Sequence, residues 1–220
     1  LIIVLNGILL LVKYNTRGNI FMKKKLYDLS KAMDSDCFTK VLKFVDSMEA
    51  KDSYTKEHCE RVTKYSLMLA KGLKLSDEEI TKLEYAGLLH DIGKIEIPDK
   101  IINKKGKLTN AEYEAVKKHP EIAFIMLKGV DFLNESRKIL LQHHERVDGK
   151  GYPYGLKGEK IDKLARILAV ADAYDAMTSV RPYRSSALTN EQAVREFEKN
   201  RNTQFDGEIV DIFIDMLNML

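Results

Sequence analysis

The chain has 220 residues, 45% hydrophobic and 31% charged, enough to bury one sizeable core under a soluble surface, which excludes long disorder. Its two cysteines, Cys37 and Cys59, form no CxxC pair. This excludes a zinc ribbon, an iron–sulfur cluster and a disulfide scaffold, and fits a reducing compartment. The net charge of +3 is local: residues 1–25 hold Lys13, Arg17, Lys23, Lys24 and Lys25 with no acid, leaving 31 basic against 33 acidic side chains in the remainder. That remainder has no basic surplus for a nucleic-acid polymer.

Residues 1–12, LIIVLNGILLLV, are apolar except for Asn6 and Gly7. Twelve helical residues rise about 18 Å, short of the roughly 30 Å hydrocarbon core. The expectation is the end of a transmembrane helix, with residues 1–25 a hydrophobic segment and basic flank anchoring the chain. The basic residues behind it place the body in the cytoplasm by the positive-inside bias. The alternatives are a signal remnant, which lacks a small-residue cleavage site, and a hydrophobic helix packed on the domain. Residues 26–49 read as a helical connector. It either forms a homodimer contact and relays a signal from an upstream sensory domain, or packs as a leading helix.

From residue 50 to 220 the pattern is helix after helix, so the fold class is an all-α helical bundle. Three capping boxes mark helix starts: Ser76 with Glu79, Thr109 with Glu112, and Thr189 with Gln192. Apolar residues recur behind them at helical spacing, as in Val62, Tyr65 and Leu69. Gly93 is expected to end one helix, and Pro120 to occupy the first turn of another. The segment 146–160, RVDGKGYPYGLKGEK, gathers four of the twelve glycines and reads as a long loop.

The five histidines, His58, His90, His119, His143 and His144, each sit beside something informative. Asp91 follows His90, and His143 and His144 are adjacent. Asp172 is flanked by Val170, Ala171 and Ala173 on an apolar helix. A carboxylate or imidazole on such a face must be paired, metal-bound or neutral. His90, His143 and His144 stand at predicted helix C-terminal ends, where they can converge in a cleft. Five imidazoles with Asp91 and Asp172 are too many ligands for one metal but suit two metals sharing a carboxylate. A nitrogen and oxygen donor set favours iron, manganese or zinc. Any one of these histidines alone is more commonly a surface or core residue; the weight lies in the joint pattern. Cys59 is expected to pack as a small hydrophobe.

His58, then His90-Asp91, then Asp172 resembles the H…HD…D signature of the HD metal-dependent phosphohydrolases. His119, the pair His143-His144 and the segment HHERVDGKGYP, with Gly151, Tyr152 and Pro153, resemble the HD-GYP subgroup. HDIGKIEIPDKII, LAVADAYDAMTSVRPYR and NTQFDGEIVD agree with it, so the resemblance spans roughly residues 50–216. It implies a bundle with a metal centre between helices, holding two divalent metal ions (iron or manganese), and cleavage of cyclic di-GMP, with linear pGpG or GMP as the final product. By this resemblance His58, His90, Asp91 and Asp172 hold one metal, and Asp91 bridges to a second held by His119, His143 and His144. Some members carry a Glu for a third metal one turn before the first His. Here that position is Tyr54, which implies a two-metal site. Val147 stands where the family often has Trp.

The resemblance also assigns Lys94 and Asp91 to catalysis, with the Lys94 ammonium stabilising phosphate charge or the leaving group. Gly151, Tyr152, Arg181 and Arg184 are assigned to substrate binding, and Asp175 to orienting a ligand or bonding Lys94. Three other functions compete: an HD hydrolase of another nucleotide or cyclic dinucleotide, a non-catalytic dinucleotide sensor, and a diiron redox protein. A sensor predicts gaps in the ligand set, and this chain has none.

Overall fold

The computed structural model describes residues 2–5, 8–11, 53–180 and 186–219. The chain divides into two units, residues 1–46 and 47–220. In the first, β1 (Ile2–Leu5) and β2 (Ile8–Leu11) pair antiparallel, with Leu5 opposite Ile8. This corrects the helical expectation at residues 2–5 and 8–11. β-branched Ile2, Ile3 and Val4 favour extended backbone, and the intervening letters Asn6-Gly7 are the strongest short hairpin signal. Among the described residues, no helix is long and apolar enough to cross a membrane. The 26–49 connector lies outside the described residues.

The second unit is helical, as the periodicity predicts. Its helices are α1 (Ser53–Gly72), α2 (Asp77–Leu89), α3 (Asp99–Ile102), α4 (Asn110–Val116), α5 (His119–Met126), α6 (Asn134–Leu141), α7 (Lys163–Thr178), α8 (Asn190–Lys199) and α9 (Gly207–Leu217). All three predicted capping boxes form, at Ser76, Thr109 and Thr189. Pro120 sits in the first turn of α5, as expected.

Helix α7 is central, packing against α1, α2, α6, α8 and α9. Ala165, Ile167, Leu168, Val170 and Ala171 bury its apolar faces. Each large aliphatic side chain so buried contributes about 1.5–3 kcal/mol. Around Tyr174 an edge-to-face aromatic cluster of Tyr65 (4.8 Å) and Phe213 (5.0 Å) ties α7 to α1 and α9. Helices α1 and α2 approach so closely that a Cβ on Gly87 would lie 2.7 Å from Thr63 Oγ1.

Gly93 does not end a helix. Helix α2 stops at Leu89, and Gly93 lies in a 3-10 turn, Ile92–Glu96. A Cβ there would lie 2.0 Å from the His119 carbonyl oxygen, so only glycine lets this turn pass beneath α5. That crossing carries Asp91 and His119 into one pocket.

Candidate metal centre

The centre is built from helix ends and the two central helices. His58 stands on α1 and Asp172 on α7. His90 caps the C-terminus of α2 and Asp91 follows it. His119 opens α5, while His143 and His144 lie just past α6. His58, His90, His119, His143 and Asp91 are buried.

Two ligand groups result, each with donor atoms within 4.8 Å of one another: His58 with His90 and Asp172, and His119 with His143 and His144. Asp91 lies between them. Its Oδ2 is 3.6 Å from both His58 Nε2 and His90 Nε2, and its Oδ1 is 3.4 Å from His119 Nε2. The seven side chains singled out in the sequence therefore converge on one site. Asp172 joins the halves from the other side, with Oδ1 3.1 Å from His58 Nε2 and Oδ2 4.0 Å from His144 Nδ1.

The tautomers follow from the backbone. A carbonyl oxygen can only accept, so each Nδ1 facing one must carry the proton. His90 Nδ1 donates to Gly87 O (2.8 Å), His119 Nδ1 to Val116 O (2.8 Å) and His143 Nδ1 to Leu140 O (2.5 Å). All three Nε2 atoms are thereby left as bare lone pairs. His90 Nε2 is buried without a hydrogen-bond partner, and the Nε2 atoms of His119 and His143 face each other at 3.4 Å. Two lone pairs so placed repel unless a cation lies between them. This donor set fits divalent metal.

Electrostatics agree. Burial pushes the His119 imidazole down to about 3 and His144 to about 4, and lowers His90 and His143 as well. These rings are neutral, as ligands must be. His58 differs: burial lowers it, but hydrogen bonds with Asp172 and Asp175 outweigh this and raise it. Its Nε2 meets a carboxylate, so a positive charge belongs there, whether proton or metal. Burial opposes ionisation of Asp91 and Asp172. For Asp91 the Lys94 charge prevails, and for Asp172 the His58 hydrogen bond, holding both well below the usual carboxylate range.

Asp175 accepts from His58 Nδ1 (2.7 Å), Arg61 Nε (2.5 Å) and Arg61 Nη2 (3.1 Å), so it fixes the orientation of the His58 ring. Among the described contacts Asp175 receives none from Lys94. Lys94 donates to Asp91 Oδ2 at 2.6 Å instead. The Cys59 Sγ is near His90 and Asp91, but burial keeps its thiol protonated, and it packs as a small hydrophobe. The side chain of Tyr54, and Arg181 and Arg184, lie outside the described residues.

Tyr152 lies beside the centre, its ring 4.7 Å from the His144 ring with Lys117 Nζ 5.5 Å from its own centroid. Gly151 has no room for a side chain: a Cβ would lie 2.5 Å from the His144 carbonyl oxygen. The sequence reading missed Glu145. Only 4% exposed, its carboxylate accepts from Tyr154 N (2.7 Å) and Leu156 N (2.9 Å), clamping the loop. In a polar segment it read as a surface acid; only the loop's return path buries it. Arg61 was missed as well, though its place three residues after His58 on one helix face was a usable signal.

A helical bundle whose helix ends and two central helices deliver five imidazoles and two carboxylates to one site defines an all-α domain built for divalent metal. The chain belongs to the HD domain family, matching it over residues 44–209. It is 42% identical over 170 residues to the cyclic di-GMP phosphodiesterase response regulator RpfG of Xanthomonas campestris, covering 76% of this chain and 45% of that protein. It is 37% identical over 180 residues to 3'3'-cGAMP-specific phosphodiesterase 3 of Vibrio cholerae, covering 82% of this chain and 39% of that protein. The chain thus spans less than half the length of these relatives. The solved structure of Bd1817, an HDG"Y"P protein from Bdellovibrio bacteriovorus, shares the fold, with a TM-score of 0.62 at 21% identity over 74% of this chain and 52% of that one.

Proposed function

We propose that this chain is a metal-dependent phosphodiesterase that opens cyclic di-GMP to linear pGpG at two divalent ions, iron or manganese, with Tyr54 in place of a third-metal Glu leaving onward hydrolysis to GMP for product analysis to decide. The observation that carries the reading is the placement of Asp91, one carboxylate oxygen toward each of two histidine groups. Similarity to a cyclic di-GMP phosphodiesterase supports the substrate. Metals held by His58, His90, Asp91 and Asp172 and by His119, His143, His144 and Asp91 would supply Lewis acidity toward a phosphodiester and acidify water.

The chain's own groups do the rest. Asp91 fixes the separation of the two halves. Its neighbour Lys94 brings a positive charge to the same edge, where charge develops on phosphate oxygens and the leaving ribose oxygen. Asp175 holds the His58 ring so that Nε2 faces inward. Tyr152, whose hydroxyl burial keeps protonated, offers a ring face to a base and a donor to phosphate. Gly151 lets the loop backbone lie close beside the centre, and Arg181 and Arg184 are assigned to the phosphates.

The similarity to a 3'3'-cGAMP-specific phosphodiesterase favours a second reading, a mixed cyclic dinucleotide as substrate. The test is full-length protein purified anaerobically, loaded with manganese or ferrous iron, and assayed on a panel of cyclic dinucleotides with product analysis. Cyclic di-GMP should yield pGpG faster than the other substrates are cleaved. Absence of product with both metal sites loaded would overturn the enzyme reading. Preferred cleavage of cyclic GMP–AMP would select the second.

A further inference from the structure

A cavity of about 670 Å³ opens from the metal centre and extends well past it. One end is formed by His143, His144 and Asp172. From there the cavity follows α7 past Ala173, Ala176 and Met177. Met177 lies five residues beyond Asp172, about 7.5 Å along the helix axis. Farther along it is lined by Phe205 and by Glu196 and Asn200, four residues apart on one face of α8 and its C-terminal cap.

The far end differs in chemistry from the near one. Its walls, Met177, Ala176 and Phe205, are apolar and suit a flat ring. Its polar groups are the Glu196 carboxylate and the Asn200 and Gln204 amides, with the nearby Arg146 guanidinium bonded to Gln204 (2.9 Å) and paired with Asp148 (2.7 Å). Among the described residues no lysine or arginine pairs with Glu196. Its carboxylate takes a long 3.5 Å contact from the Asn200 amide, which donates more closely to the Glu196 carbonyl at 2.8 Å. With Arg146 already paired to Asp148, the unpaired carboxylate of Glu196 calls for a neutral group with donors. Among the common nucleobases, guanine alone presents two adjacent donors, N1–H and the N2 amino group, on one edge. A carboxylate accepts such a pair with both oxygens.

We propose that this far end is a guanine slot, with Glu196 as its specificity-determining residue. The assignment rests on the cyclic dinucleotide reading above and deepens it. The phosphodiester lies at the histidine end and one base reaches along α7 to Glu196. Adenine offers an acceptor at N1 where guanine offers a donor, so it meets the carboxylate with a lone pair. Glutamine in place of Glu196 presents one acceptor and one donor, the pattern adenine matches.

The experiment is calorimetric titration of GMP and AMP into the manganese-loaded full chain. The two nucleotides share a phosphate, so the metal contribution cancels in their ratio. Wild type should bind GMP at least roughly tenfold more tightly than AMP, the size expected for hydrogen bonds to a charged group. Glu196→Gln should abolish or invert that ratio, and Glu196→Asp should reduce it. Circular dichroism would check that both variants fold. Equal wild-type affinities, no nucleotide binding, or an unchanged ratio in both variants would overturn the slot. Cyclic di-GMP cleavage, assayed on the same preparation, judges the phosphodiesterase reading separately. Intact cleavage with equal GMP and AMP affinity would sink the slot alone. Absent cleavage with a Glu196-dependent GMP preference would sink the activity alone.

Discussion

Asp175→Asn tests the logic of the centre most directly. The Asp175 carboxylate, fully buried, receives His58 Nδ1, two Arg61 nitrogens and Ser179 Oγ at 3.1 Å. Four donors meet an acceptor-only group. Asparagine keeps the shape but turns one oxygen into a donor, which must then face either the imidazole or the guanidinium. If it faces the imidazole, His58 must move its proton to Nε2, and the ligand lone pair is lost. Loss of such a partner typically weakens metal binding 10- to 100-fold, or about 1.4–2.8 kcal/mol. Competition with a chelator for manganese, on wild type and variant, measures this. Glu57→Ala is the control, because Glu57 only meets Arg61 at 3.8 Å on an exposed surface and should change affinity little. Affinity within twofold of wild type in Asp175→Asn would refute the claim that Asp175 sets the His58 tautomer.

Two other outcomes follow from the same geometry. The metal-free protein should lose stability as the pH falls below 6.5. Burial holds His144 at about 4 and His119 at about 3. The unfolded chain therefore takes up protons in this window before the folded chain does, at about 1.4 kcal/mol per group per pH unit. His58, raised instead, acts oppositely: its contribution is present below 6.5 and is lost as pH rises through its folded value. With His90 and His143 also lowered, the depressed rings outnumber it, and thermal midpoints from pH 7.5 to 4.5 should fall; a flat profile would contradict burial of neutral rings. Glu145→Gln should leave metal affinity near wild type but raise KM on cyclic di-GMP several-fold, because one of the amides at Tyr154 and Leu156 then meets a donor and the Tyr152 loop loosens. An unchanged KM would show that the clamp does not position the loop.

Local physics made much of this protein legible in its letters. The capping boxes at Ser76, Thr109 and Thr189 depend on residues three apart, so the sequence alone places those helix starts. The convergence of these seven side chains was legible too, since imidazoles and carboxylates on apolar helix faces need a partner wherever they end up. Near the N-terminus apolarity suggested a helix, whereas residues 2–5 and 8–11 pair as antiparallel strands; uniform hydrophobicity carries no period to separate the two.

Tertiary structure alone decided which groups meet. That Asp91 turns one oxygen to each histidine group depends on the 3-10 turn passing beneath α5 at Gly93, a contact between residues 26 apart. The burial of Glu145 depends on a loop that returns eleven residues later, and the cavity ending at Glu196 depends on how α8 lies against α7. Capping and periodicity act over one or two helical turns and are written in adjacent residues. Tautomers, lone-pair clashes and cavity walls arise only when the chain brings distant segments within a few ångströms.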